Sequence, residues 1–249
     1  MILVLSGTKD GRIIINKLLE KGFKVLATTT TEYGKKLIGN NKNLKVISKS
    51  LNKSEMKDLL ISYDIDLIID CTHPYAEEAS KNIIFASKDT SIKYIRYERE
   101  RGKYNDILSF DTFKECTKYL KSTEGNILLT TGSNNLKVFV ENININRLYI
   151  RVLPTSKVIK KCENLGFIPK QILALQGPFN KGLNREIYKQ YNIKHMITKD
   201  SGDIGGTKEK IESAKEIGIE PIVINRPVID YGEKFFDVDE IVRKIENKE

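Results

Sequence analysis

The chain has 249 residues, 40% hydrophobic and 30% charged, a balance that excludes a disordered chain and fits one large or two modest globular domains. No apolar run reaches the ~20 residues a membrane helix needs, and the N-terminus lacks the basic start and cleavage site of a secretory leader. The net charge of +9 favours anionic partners, but without a concentrated basic stripe it argues against a nucleic-acid module. Cys71, Cys116 and Cys162 stand far apart with no C-x-x-C pair. Neither a metal site nor a disulfide framework is expected, and the expected compartment is the reducing cytoplasm.

Ile2 to Leu5 is an unbroken apolar run, suited to a strand buried on both faces of a parallel sheet. Gly7 and Gly11 follow, and then Ile13, Ile14, Leu18 and Leu19 recur at helical spacing. Strand, glycine turn and helix open a nucleotide-binding βαβ unit. Such glycines let backbone amides approach a phosphate, and the helix N-terminus offers partial positive charge. The spacing is G-x-x-x-G rather than G-x-G-x-x-G, so a plain tight βα turn is a competing reading. Gly22 ends the helix, and Phe23 to Ala27 reads as the second strand. NAD-binding proteins place a carboxylate at the end of this strand. Here Thr28-Thr29-Thr30-Thr31 stands there, which removes repulsion against a 2′-phosphate and favours NADPH, with Arg12, Lys35 and Lys36 as counter-charges. A threonine-rich loop with no ligand is the bland alternative.

Leu44 to Ile47 reads as a strand, Ser54 to Ile61 as a helix, and Asp66 to Asp70 as the fourth strand. That strand runs into Cys71-Thr72-His73-Pro74-Tyr75-Ala76. Pro74 suits the first turn of the next helix, which is expected to reach about Ser87 with Ala79, Ile83 and Ala86 inward. His73 then lies at the carboxyl end of a strand, where open α/β sheets bind ligands; capping of the helix by Thr72 or His73 is the competing reading. Lys93 to Arg96 is a fifth strand, and the charged, aromatic stretch Tyr97 to Tyr104 is read as the linker that ends the first domain.

The second half repeats the alternation. Helices are expected at Thr112–Leu120, Leu136–Val140, 156–164, Asn180–Gln190, from Gly205-Gly206-Thr207-Lys208 to Gly218, and at Val238–Ile245. Strands are expected at Asn126–Thr130, Leu148–Val152, Gln171–Leu175, His195–Thr198 and Pro221–Ile224, the last core strand. The fold class is therefore α/β, with two Rossmann-like doubly wound parallel-sheet domains, residues 1–104 and 105–249. Right-handed crossovers put the polar and glycine-rich turns on one edge of each sheet, and a cleft between two such edges is the expected ligand site.

The motifs resemble the precorrin-6A reductases of corrin-ring biosynthesis, including the cobalt-precorrin-6A reductases. Their opening G-G-T-x-E-G-R stands here as Ser6-Gly7-Thr8-Lys9-Asp10-Gly11-Arg12, and their D-A-T-H-P-[FY]-A as Asp70 to Ala76 with Cys71 for alanine. Their L-T-T-G is Leu129 to Gly132, and their R-G-P-F is Gln176 to Phe179, without its arginine. Their T-K-[ND]-S-G-G is matched from Thr198 to Gly202 and departs at Asp203; their final R-P is Arg226-Pro227. The resemblance implies NADPH held mainly by the first domain through Ser6, Gly7, Thr8, Asp10, Gly11, Arg12 and Thr28, with Thr72, His73 and Pro74 at the nicotinamide end. Asp10 is expected to orient Arg12 or cap the helix rather than touch phosphate.

The resemblance further implies a polycarboxylate tetrapyrrole substrate against Thr131, Gly132, Gln176, Gly177, Lys199, Ser201 and Arg226. Lys199 and Arg226 are read as carboxylate partners, with an internal ion pair as the competing reading for Arg226. The proton donor is open among His73, Tyr75, Lys199 and solvent. Heavy use of Lys, Ile and Asn suggests an AT-rich genome of the kind many anaerobes carry, which favours the cobalt-containing substrate. No membrane partner is expected, and a monomer is compatible with the sequence. A reductase of another small substrate and a non-catalytic nucleotide-binding protein are the alternatives.

Overall fold

The computed structural model describes all residues except Lys103, Asn105, Asp203, Ile204, Lys248 and Glu249; the departure at Asp203 and the first residue of the expected second domain lie outside the described set. The chain divides into two compact units, Met1–Glu100 with Pro227–Glu249, and Arg101–Arg226.

In the first unit β1 (Ile2–Leu5), α1 (Lys9–Glu20), β2 (Val25–Thr29), α2 (Glu32–Ile38), β3 (Leu44–Ser48), α3 (Lys53–Ser62), β4 (Leu67–Asp70), α4 (Glu77–Thr90) and β5 (Lys93–Tyr97) follow in order. The chain then builds the second unit: β6 (Leu108–Phe110), α5 (Phe113–Leu120), β7 (Asn126–Leu129), α6 (Leu136–Val140), β8 (Leu148–Val152), α7 (Ser156–Asn164), β9 (Ile172–Ala174), α8 (Lys181–Gln190), β10 (Ile193–Lys199), α9 (Thr207–Lys215) and β11 (Glu220–Ile224). It returns to the first unit for β12 (Lys234–Phe235) and α10 (Val238–Glu246).

Both sheets are parallel and share one plan. The first runs β3-β2-β1-β4-β5-β12, and the second β9-β8-β7-β10-β11-β6. Each has its switch point beside its central strand, where β1 pairs with both β2 and β4, and β7 with both β8 and β10. The sixth strand of each sheet comes from outside the five-strand run: β12 follows the whole second unit, and β6 precedes β7. This corrects the division at residue 104, because Pro227–Glu249 belongs to the first unit. The two- and three-residue strands β12 and β6 are too short to carry a readable period, so neither was expected.

The local reasons for the first βαβ unit are visible in the chain. All four β1 residues are buried. Thr8 caps α1, its hydroxyl accepting from Gly11 N at 3.1 Å, and Ile14, Ile15 and Leu18 form the buried face. Gly22 takes φ +82, and its amide and that of Phe23 return to Leu19 O and Leu18 O, a Schellman end that only glycine accepts without strain. Two expectations are corrected here. Thr28 and Thr29 close β2 instead of forming a loop, and Thr31 caps α2, which carries no buried residue and so has no apolar stripe to betray it. Pro74 precedes α4 and occupies a turn closed by Ala76 N to His73 O at 2.7 Å; proline presets the φ of such a turn.

The returning segment packs into the first core, where Phe235, Ile241 and Ile245 join Ile14, Ile15, Leu18 and Ile95. Ile241 is fully buried. Ile241→Ala is expected to destabilise this unit by about 2–5 kcal/mol through lost contacts and a residual cavity, measured by urea unfolding; a change below half a kcal/mol would detach the segment from the core. The second unit packs Ile187, Tyr188, Ile211 and Ala214 of α8 and α9 against Leu128, Met196 and Val223. The three cysteines are buried and unbonded. Among the described residues no helix is long and apolar enough to cross a membrane.

Candidate functional site

In the first unit the sequence-predicted residues gather at the carboxyl edge of one sheet. Leu5 pairs with Thr28 on one side and Asp70 on the other, so the turn after β1 lies between the ends of β2 and β4. Ser6 N donates to Thr28 O at 2.9 Å, and Thr8 Oγ1 donates to Cys71 O at 2.9 Å. Gly7 has φ +143, and among the described residues, its chain neighbours aside, nothing lies within 4 Å of where its Cβ would stand. Ser6 is buried, and its Oγ has no hydrogen-bond partner among the described residues. An orphaned buried hydroxyl costs free energy unless a ligand or water satisfies it. An open glycine beside it, at a switch point, is where a dinucleotide diphosphate approaches the backbone. The residues present therefore fit a nucleotide cofactor.

Asp10 neither caps α1 nor orients Arg12. Its Oδ2 accepts from Arg99 Nε at 2.7 Å and pairs with Arg99 Nη2 at 2.6 Å, both residues largely buried. Arg12 is half-buried and donates from Nη1 to Thr8 O at 3.3 Å. Thr28 and Thr29 are buried at the end of β2, and no carboxylate stands there until Glu32. Past β4, Pro74 is buried and Thr72, His73 and Tyr75 are half-buried. His73 Nδ1 accepts from Tyr75 N at 3.3 Å, and the two rings lie 5.6 Å apart, tilted by 41°.

Sequence reasoning missed Arg96, which is fully buried and pairs with Asp70 at 2.8 Å. It also missed Arg99. Arg96 lies inside β5 and was read only as part of that strand; Arg99 lies two residues past β5, in the charged stretch read as a linker.

The second unit repeats the corner. Thr131, just past β7, is buried and its Oγ1 has no partner. Gly132 takes φ +77, with nothing within 4 Å of its missing Cβ. Gln176 and Gly177 are exposed past β9. Lys199 ends β10, half-buried, with Nζ 5.6 Å from the Phe113 ring centre; burial pulls its pKa down to about 8. Ser201 N donates to Thr207 Oγ1 at 3.2 Å, fixing the start of the next turn.

Arg226 is buried and committed to Asp200, with Nε 3.0 Å from Oδ2 and donating to Asp200 O at 3.0 Å. The internal ion pair, not a carboxylate arm, is thus the described role of its Nε. A lysine the sequence reading missed, Lys210, donates to Gly205 O at 3.1 Å, and burial brings its pKa to about 7.

A six-stranded parallel sheet of this order, with an open glycine at the switch point, defines a Rossmann-type nucleotide-binding protein. The family model described as precorrin-6x reductase CbiJ/CobK matches residues 1–246. The chain belongs to that family. It is 39% identical to the cobalt-precorrin-6A reductase of Priestia megaterium, covering 100% of this chain and 99% of the relative. It is 41% identical to the cobalt-precorrin-6A reductase of Methanocaldococcus jannaschii, covering 99% and 98%. A solved structure of CobK precorrin-6A reductase superposes with a TM-score of 0.78 at 19% identity, covering 99% of this chain and 96% of that one, which supports the shared fold.

Proposed function

We propose that this protein reduces one ring double bond of cobalt-precorrin-6A, giving cobalt-precorrin-6B, with NADPH as the reductant. The observation that carries the reading is the Ser6–Gly7 corner, an orphaned buried hydroxyl beside an open glycine, in a chain matched nearly end to end by a reductase family. The names of the two relatives support the cobalt-containing substrate. The carboxylate-free end of β2 supports NADPH over NADH.

When bound, NADPH supplies a hydride to one carbon of the double bond, and a proton joins the neighbouring carbon. The chain's own contribution is position and charge. Gly7 leaves room for backbone amides to reach the diphosphate, Ser6 Oγ offers a hydrogen bond, Thr8 locks α1 to the end of β4, and Gly11 lets that helix close on Ser6. Arg12 would meet phosphate, Asp10 holds Arg99, and the carboxylate-free Thr28 position would let Lys35 and Lys36 meet a 2′-phosphate. Thr72, His73 and Pro74 line the nicotinamide end.

On the substrate side Lys199 is the cation for a carboxylate arm. Thr131, Gly132, Ser201, Gln176 and Gly177 supply neutral donors, and Arg226 keeps Asp200 and its turn in place. The proton comes from Lys199, His73, Tyr75 or solvent.

The test is an anaerobic assay with cobalt-loaded or metal-free precorrin-6A, following loss of reduced-nicotinamide absorbance. Turnover with the cobalt form, and a higher kcat/KM with NADPH than with NADH, is expected. No oxidation with either tetrapyrrole would overturn the reading.

A further inference from the structure

The first unit buries a charged pair, both members of which hold one residue, Thr72. Asp70 Oδ1 accepts from Thr72 N at 2.9 Å and lies 2.8 Å from Arg96 Nη1. Arg96 Nη1 donates to Thr72 Oγ1 at 2.9 Å, and Nη2 donates to Thr72 O at 3.0 Å. The amide, carbonyl and hydroxyl of Thr72 are all bonded to these two side chains, and the hydroxyl also lies 3.2 Å from Ser80 Oγ. The other Asp70 oxygen accepts from Ser80 Oγ at 2.7 Å and Tyr94 OH at 2.8 Å. Arg96 Nε donates to Glu98 Oε2 at 3.2 Å, and its guanidinium lies over the Tyr231 ring at 4.6 Å. Burying two charges carries a desolvation penalty that their attraction offsets only with good geometry, and apolar residues often serve stability as well. Stability alone therefore gives little reason for the pair.

The second unit has a related aspartate–arginine pair beside the corresponding strand, with the arginine bonded to the aspartate's own carbonyl rather than to the residue two on. Asp200 stands at the end of β10, Oδ1 accepts from Gly202 N at 3.4 Å, and Arg226 from beyond β11 holds both its carboxylate and its carbonyl. Each sheet carries an aspartate at or just past the end of the strand beside its central one, an amide two residues on that donates to it, and an arginine from within or just past the next strand. Recurrence at matching places argues for a geometric task.

We infer that Asp70 and Arg96 are positioning residues that hold the Thr72–Ala76 turn rigid for hydride transfer. The inference rests on the reading that this turn lines the nicotinamide end. The pair touches no reacting atom; it acts through Thr72, and it governs alignment more than affinity, since the diphosphate is held at the separate Ser6–Gly7 corner.

Asp70→Asn keeps the shape but removes the charge that organises the donors. Three measurements test it. Amide hydrogen exchange of the unliganded variant should show faster exchange at Thr72 and Ala76. NADPH should bind within about threefold of wild type but with altered nicotinamide emission, and kcat should fall by about tenfold or more, the scale of a sub-ångström misplacement. Tyr94→Phe, which removes one Asp70 donor and leaves Thr72's bonds intact, should lower the melting temperature with kcat unchanged. Thr72→Val, isosteric and lacking only the hydroxyl, gives a second route if Asp70→Asn fails to fold: kcat falls about threefold or more with NADPH affinity retained.

Faster exchange with unchanged kcat and emission in Asp70→Asn, or unchanged kcat in Thr72→Val, overturns the positioning role. Unaltered exchange in Asp70→Asn overturns the clamp itself. A wild type that binds no NADPH, with the exchange result as expected, overturns the reductase reading and leaves the clamp standing.

Discussion

Gly7→Val is expected to raise the NADPH dissociation constant by about two orders of magnitude, a loss of roughly 2.7 kcal/mol, while costing the fold only about 1–3 kcal/mol. The two effects have separate causes. The backbone at Gly7 sits at φ +143, a region L side chains rarely adopt, so any substitution is strained. Yet among the described residues, its chain neighbours aside, nothing lies within 4 Å of the added Cβ, so the Cβ itself meets no clash there. The room a valine would fill is the room a diphosphate needs to reach the amides. Gly11 is glycine for another reason: its Cβ would stand 2.8 Å from Ser6 Oγ, 3.3 Å from Ser6 Cα and 3.2 Å from Cys71 Cβ. Gly11→Val therefore pushes α1 away from the ends of β1 and β4, and stability falls along with binding. Titration calorimetry with NADPH and thermal melting of both variants separate the cases. Unchanged affinity in Gly7→Val would remove the nucleotide from this corner.

How much of this was legible follows from how local each signal is. Ile2–Leu5 and Leu67–Asp70 announce themselves because a strand buried on both faces must be apolar throughout. Thr112 with Glu115 is a reciprocal capping box and is readable from spacing alone. The strand-end turns at Gly7, Thr131 and Lys199 were legible as one edge of each sheet because right-handed crossovers leave no other arrangement. What escaped is what depends on partners far along the chain. Arg96 is buried because Asp70 waits for it across a strand pair; for Arg226 the internal ion pair was an open alternative, but its partner Asp200 was not legible. A sequence offers only an arginine in each case. The return of Pro227–Glu249 to the first unit is set by Phe235 beside β5 and Ile241 in that core. An amphipathic helix such as α10 shows that it has an apolar face without naming the surface that takes it.

Lys199→Ala is expected to lower kcat/KM for the tetrapyrrole by about 10- to 100-fold, the weight of one charged hydrogen bond of ~1.5–3 kcal/mol, while NADPH affinity stays within about threefold. Burial brings Lys199 down to about 8, and the sign of the pH dependence follows. The ammonium that meets a carboxylate is present below that value and lost above it. Wild-type kcat/KM should therefore decline as pH rises through about 8, and the alanine variant should show no such decline. Stability runs the other way. The folded pKa is depressed below the unfolded value of 10.5, so the fold gains stability from this group as pH rises from about 8 to 10.5 and loses it as pH falls back through 8. Lys199→Met should thus be at least as stable as wild type at neutral pH while binding substrate poorly, a trade expected of a functional charge and not of a structural one. A fall confined to KM assigns Lys199 to a carboxylate arm; a matching fall in kcat at saturating substrate makes it the proton donor as well. A variant that loses NADPH before it loses substrate would put Lys199 on the cofactor instead.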